Sequence, residues 1–133
     1  WRIAVRHPRP EEGPRVLAAI DIGDAAAGEA IFTSGDYERY FEFAGERHHH
    51  IVDPASGQPA RGLRSVTVVH PDTVLADAAS TALFVAGSDW RELARNMALD
   101  TVLVVRDDGH LELTPLAAER FSLIGKPDHT VVP

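Results

Sequence analysis

Between Asp72 and Gly87 the chain reads DTVLADAASTALFVAG, and this stretch limits its fold more than any other. It predicts a helix whose apolar residues cover most of the surface, with Asp77 and Thr81 set among them. Residues four apart on a helix lie on one face, one turn above the other. A carboxylate and a hydroxyl stacked this way are two oxygen ligands within reach of a hard cation such as Mg²⁺. The alternative is that Thr81 bonds back to a carbonyl of its own helix while Asp77 faces water.

Composition bounds the rest. With 133 residues and 44% apolar side chains, one domain with one core is the default. A net charge of −7 argues against a nucleic-acid partner, which needs a clustered basic face. All of the 13 basic residues except Lys126 are Arg. No Cys is present, which excludes disulfides, thiolate metal sites and cysteine nucleophiles. No segment is long and apolar enough for a membrane span, and no signal peptide is visible. The chain begins at Trp1 and its sole Met is Met97, so it reads as a piece processed or cut from something longer.

Patterning predicts mostly β structure with two helices. Strands are expected over Trp1 to Val5, Val16 to Ile22 and Ala30 to Thr33. Tyr37 to Phe43 alternates as a strand should, with Tyr37, Arg39, Phe41 and Phe43 on one face. Ala44-Gly45-Glu46 is a tight connection to a return strand over Arg47 to Val52. Asp53 to Gly57 is a turn, and Ser65 to Val69 a buried strand. Ser88-Asp89 supplies an N-cap for a second helix running to about Met97. Thr101 to Val105 and His110 to Leu113 flank a turn at Asp107-Asp108-Gly109. Leu116 to Ile124 is a short helix in an otherwise weak tail. The predicted fold class is α+β: a mostly antiparallel sheet with a long buried helix and a second, shorter helix against it.

Three further groups of residues bear chemistry. Thr33-Ser34-Gly35 ends a strand in a small polar loop, where hydroxyls and close backbone approach suit phosphate or ring oxygens, or form an ordinary turn. In His48-His49-His50 a strand puts His48 and His50 on one face and His49 on the other. The triplet suits either a Zn²⁺ site lacking obvious partners or a polar strand face. In His50-Ile51-Val52-Asp53-Pro54, His50 is delivered at a strand end as a ligand contact, an acid–base group or a packing residue. Asp53 is expected to bond the turn backbone.

The ordered segments TSGDYERYFE, HHIVDPASGQPA, SVTVV and ADAASTALFVAG closely resemble the ApbE-like flavin transferases, the FAD:protein FMN transferases. The likeness covers most of residues 1 to 113 and is to the C-terminal half of that family, with the N-terminal half absent. Ser56 stands where Thr is usual, and Ser80 where Ala is usual. The resemblance implies an enzyme that binds FAD with Mg²⁺ and transfers FMN onto a Thr hydroxyl of an acceptor protein, releasing AMP. It implies Asp77 and Thr81 as metal ligands, with Ser80 a weaker candidate. His50 and Ile51 would contact the flavin nucleotide, Ile51 through its backbone, and Thr33, Ser34 and Gly35 would line the same cleft. His50 and Asp77 are the candidate catalytic groups.

Two alternatives stand beside transfer: an FAD pyrophosphatase giving FMN and AMP, and an inactive fragment that needs its missing half. The expected partners are FAD, an acceptor protein with a target threonine, and the missing N-terminal half or a second copy of the chain. The resemblance further implies a bacterial protein of a family often exported or membrane-tethered, though the chain carries no signal.

Overall fold

The structure is a computed structural model that describes residues 1–23 and 28–133. Among the described residues, ten strands and three α-helices follow in order: β1 Arg2–Arg6, β2 Val16–Asp21, β3 Ala30–Gly35, β4 Tyr40–Phe43, β5 Glu46–His49, β6 Leu63–His70, α1 Thr73–Ala86, α2 Trp90–Asn96, β7 Val102–Arg106, β8 Leu111–Leu113, α3 Pro115–Arg120, β9 Phe121–Leu123 and β10 His129–Val131. The class is α+β, as predicted. A five-stranded sheet runs β10-β8-β7-β6-β3, and every pairing in it is antiparallel except β10 with β8. A second sheet, β1-β2-β9, and the separate hairpin β4-β5 complete the β structure.

The five-stranded sheet is buried on both faces, which is why SVTVV and TVLVV read as continuous apolar runs. Val66, Val68, Val102 and Val104 turn toward the helices and pack with Ala76, Ala79, Leu83, Phe84 and Trp90. Val69, Leu103 and Val105 turn the other way, onto Val5, Leu17, Ile20 and Phe121 of the second sheet. Helices cover one face, as the sequence suggests. The sheet covering the other face is an addition to the prediction.

Helix α1 begins where the Asp72 carboxylate accepts the Val74 and Leu75 amides, and it ends at Gly87, whose φ is 58°. Only one stripe of it is buried, formed by Ala76, Ala79, Ser80, Leu83 and Phe84. Val74, Asp77, Ala78 and Thr81 form an exposed stripe on another side, so the expected long buried helix is buried along one face alone.

Several expectations are corrected. The strand predicted from Tyr37 begins at Tyr40, because the chain turns at Asp36 to Arg39. The return strand ends at His49; Val52 makes only an isolated bridge to Pro59. No side chain caps α2; it follows α1 through a single tight turn at Gly87–Asp89. The predicted helix over Leu116 to Ile124 divides into α3 and β9, and the weak tail supplies β10.

Candidate functional site

Strand β3 lies beside β6, and α1 packs across both. Alternation along β3 sends neighbouring side chains to opposite faces. Ser34, opposite Val66, faces α1. Thr33, opposite Thr67, faces away, and its hydroxyl pairs with that of Thr67 at 2.8 Å. The side chains of Thr33 and Ser34 therefore point to opposite faces of the sheet.

Ser34 meets two hydroxyls of α1, with Oγ 2.8 Å from Ser80 Oγ and 2.9 Å from Thr81 Oγ1. Ser80 itself donates to the Asp77 carbonyl at 2.9 Å. A hydroxyl has one hydrogen and two lone pairs, so this contact sets the direction of the whole chain of bonds. The Ser80 hydrogen is spent on Asp77 O; Ser34 must donate to Ser80, and Thr81 must donate to Ser34. The Thr81 hydrogen thus points inward, and both lone pairs of its Oγ1 are uncommitted among the described residues. One turn earlier on the same exposed stripe is the Asp77 carboxylate, with no hydrogen-bond or ion-pair partner among the described residues. Of the reading in which Thr81 bonds back to its own helix and Asp77 faces water, the second half holds: Asp77 faces water, but it is Ser80 and not Thr81 that bonds back to the helix.

The oxygen chemistry of this pair suits a hard cation. Mg²⁺ takes oxygen ligands in octahedral array and commonly uses one or two protein groups, with waters and substrate phosphates completing the shell. A charged carboxylate and a hydroxyl with free lone pairs meet that requirement.

The His triplet divides into three environments. His48 stacks on Phe41, ring centroids 5.1 Å apart. His49 is buried against Phe84. His50 is exposed beyond the end of β5, its backbone N–H and Nδ1 both 3.2 Å from Arg39 O. Against a carbonyl acceptor Nδ1 must carry the proton, which leaves Nε2 as the basic nitrogen, without a partner among the described residues. No group of three or more His, Asp or Glu side chains is placed to hold a metal ion among the described residues, so the Zn²⁺ reading of the triplet has no support here.

Ile51 is buried, and its backbone is engaged within the chain. Its N–H donates to His49 Nδ1 at 3.3 Å and its carbonyl accepts the Ala60 N–H at 3.0 Å. Its N–H is committed within the chain, and its carbonyl keeps a second lone pair. Gly35 is buried beneath Tyr37, where an added Cβ would lie 2.5 Å from the ring. Asp53 serves its turn, as expected, accepting from Ala55 N and Ser56 Oγ; these bonds hold its carboxyl below the usual range. His49, Ser80, Thr67 and Tyr37 are the contributors that sequence reading left out or ranked low. Nothing in composition or spacing separates them from packing residues.

The sequence profile of the ApbE family matches residues 1–103. The chain belongs to this family. Within the ApbE family it is 43% identical over 125 residues to an FAD:protein FMN transferase of Rhodobacter capsulatus, covering 93% of this chain and 23% of that protein. It is 37% identical over 109 residues to the FAD:protein FMN transferase of Escherichia coli K12, covering 80% of this chain and 30% of that one. Among solved structures, the ApbE protein of Thermotoga maritima superimposes with a TM-score of 0.77 at 44% identity, over 90% of this chain and 38% of that one. The apo form of the flavinyl transferase ApbE of Pseudomonas stutzeri gives a TM-score of 0.68 at 35% identity, over 91% of this chain and 37% of that one. The chain therefore spans between 23% and 38% of these relatives' lengths.

Proposed function

We propose that this chain carries the metal-facing part of an FAD:protein FMN transferase, which moves FMN from FAD to a threonine hydroxyl of an acceptor protein and releases AMP. The observation that supports this most directly is the outward pair on α1. The Asp77 carboxylate is unpaired among the described residues, and Thr81 has its hydrogen tied inward through Ser34 and Ser80. In this reading Asp77 and Thr81 hold Mg²⁺, which when bound neutralises charge growing on the pyrophosphate oxygens. The acceptor threonine oxygen bonds to the FMN-side phosphorus while the phosphoanhydride bond breaks, and AMP leaves with the bonding electrons. His50 Nε2 receives the threonine proton, with the ring held in the required tautomer by Arg39 O. Ser34 takes a supporting role, directing the Thr81 hydroxyl. The chain's share of its relatives' length favours a site completed by further residues, so the reading concerns the ligands and base supplied here.

The test is Asp77→Asn, which keeps shape and removes the charge. Mn²⁺, a spectroscopic stand-in for Mg²⁺, should bind at least about tenfold more weakly, with the far-UV signal and melting temperature of the wild type. Thr81→Val, which keeps β-branching and loses the hydroxyl, should act in the same direction. Asp77→Asn binding Mn²⁺ as the wild type does would overturn the metal assignment. FMN and AMP formed from FAD regardless of a threonine peptide would identify a hydrolase instead.

A further inference from the structure

We infer that His49 is a positioning residue for His50, fixing the backbone on the far side of that residue so that its imidazole is presented in one orientation and one tautomer. The inference rests on the role proposed above for His50, but its geometry stands independently. His49 ends β5 opposite Tyr40, and its ring turns inward to 9% exposure. Nε2 lies 2.8 Å from Ala60 O and must donate there, while Nδ1 accepts the Ile51 N–H at 3.3 Å. The Ala60 N–H returns to Ile51 O at 3.0 Å, closing a ring of three hydrogen bonds. The imidazole is thus fully satisfied as a neutral donor–acceptor, which explains how it tolerates burial without a charged partner.

The same ring sits edge-on to Phe84, with centroids 5.4 Å apart and planes at 87°. Phe84 is wholly buried on α1, three residues beyond Thr81. One side chain thereby connects the helix bearing Asp77 and Thr81 with the backbone on either side of His50. From the other side, the His50 amide and Nδ1 both meet Arg39 O. His50 is held at both ends, by Arg39 before it and by His49 through Ile51 after it. A leucine or phenylalanine would fill the volume at position 49, but neither offers a donor and an acceptor to two backbone groups.

His49→Phe tests this by keeping an aromatic ring against Phe84 and removing both nitrogen contacts. Thermal unfolding reports whether the fold survives, and NMR reads the Ile51 amide exchange and the ¹⁵N signals of the His50 ring. In the wild type the His50 signals should show the Nδ1–H tautomer. In His49→Phe they should move toward a mixture, and the Ile51 amide should exchange at least about tenfold faster. His49→Asn, which places an acceptor oxygen near the position of Nδ1, should recover part of the Ile51 protection; it also serves if the phenylalanine variant does not fold. Unchanged His50 signals and Ile51 exchange in a folded variant would overturn the inference. Mn²⁺ titration of Asp77→Asn runs beside it. If that variant binds Mn²⁺ as the wild type does, the proposed function fails, whereas His49 is judged on the NMR readouts alone.

Discussion

Gly35 shows what a single side chain decides in this fold. The sequence invites the view that a glycine at a strand end lets a nucleotide approach the backbone. In the structure the space above Gly35 holds the Tyr37 ring, and an added Cβ would lie 2.5 Å from Tyr37 Cε1 and 3.0 Å from Arg64 O. Gly35→Ala should therefore cost about 1–3 kcal/mol of stability, measured by urea unfolding, through overpacking. Adding Tyr37→Ala should recover part of that loss, because the nearest clash is with a side chain; strictly additive costs would mean the Arg64 carbonyl dominates. The outward pair was legible at this scale, since a four-residue spacing on a helix fixes a shared face whatever surrounds it. The Ser34–Ser80 contact was not, because its partners are 46 residues apart and only β3 lying against α1 brings them together. His49 was hidden for a related reason: a triplet of identical residues gives no sign of which ring turns inward.

Elements with local signals were read well, and those defined by distant pairing were not. Helix α1 carries its own boundaries in Asp72 and Gly87, so its extent follows from the chain alone. Asp72→Ala removes the acceptor for two amides and should cost about 1 kcal/mol without affecting cation binding, as paired urea unfolding and Mn²⁺ titration would show. By contrast β10 is a three-residue parallel partner of β8, and nothing near His129 announces it. Tyr37 to Arg39 continues the alternation of β4, yet turns, and Asp36 at the start of that turn forms a part-buried pair with Arg9 at 2.8 Å. Glu112 links α2 to the sheet: its carboxylate accepts from Trp90 Nε1 at 2.7 Å and pairs with Arg91 and Arg106. Burial pulls its pKa upward, but the Trp90 bond and the two guanidinium groups together outweigh it, leaving it below the ordinary 4.5. A depressed carboxyl pKa contributes stability above the unfolded value that disappears as pH falls through the folded one. The urea midpoint should thus fall as pH drops below about 4.5, and Glu112→Gln should flatten that fall while lowering stability at neutral pH. An equally steep acid loss in Glu112→Gln would assign it to other carboxylates, Asp53 among them.

At the scale of the whole molecule, two packed cores coexist with an open face that bears Asp77 and Thr81. The five-stranded sheet buries apolar side chains on both sides, which gives the chain a cooperative interior of its own. Yet Val74 is 78% exposed on the α1 stripe that carries Asp77 and Thr81, and Phe41 and Phe43 on the β4-β5 hairpin are 64% and 70% exposed. The relatives are far longer than the stretch they share with this chain, and exposed apolar faces of this kind favour association. Two protein oxygens leave most of an octahedral shell to waters, phosphates and other protein groups. The isolated chain should consequently melt in one cooperative transition but bind Mn²⁺ and FAD more weakly than a full-length relative. It should also self-associate with rising concentration. Sedimentation across a concentration series, with Phe41→Ser and Phe43→Ser as a double variant, checks the last point. The variant should shift the equilibrium toward monomer while leaving the melting temperature near that of the wild type, because neither ring belongs to either core. A chain that is monomeric at every concentration and binds Mn²⁺ and FAD as tightly as a full-length relative would show that these residues hold a complete site.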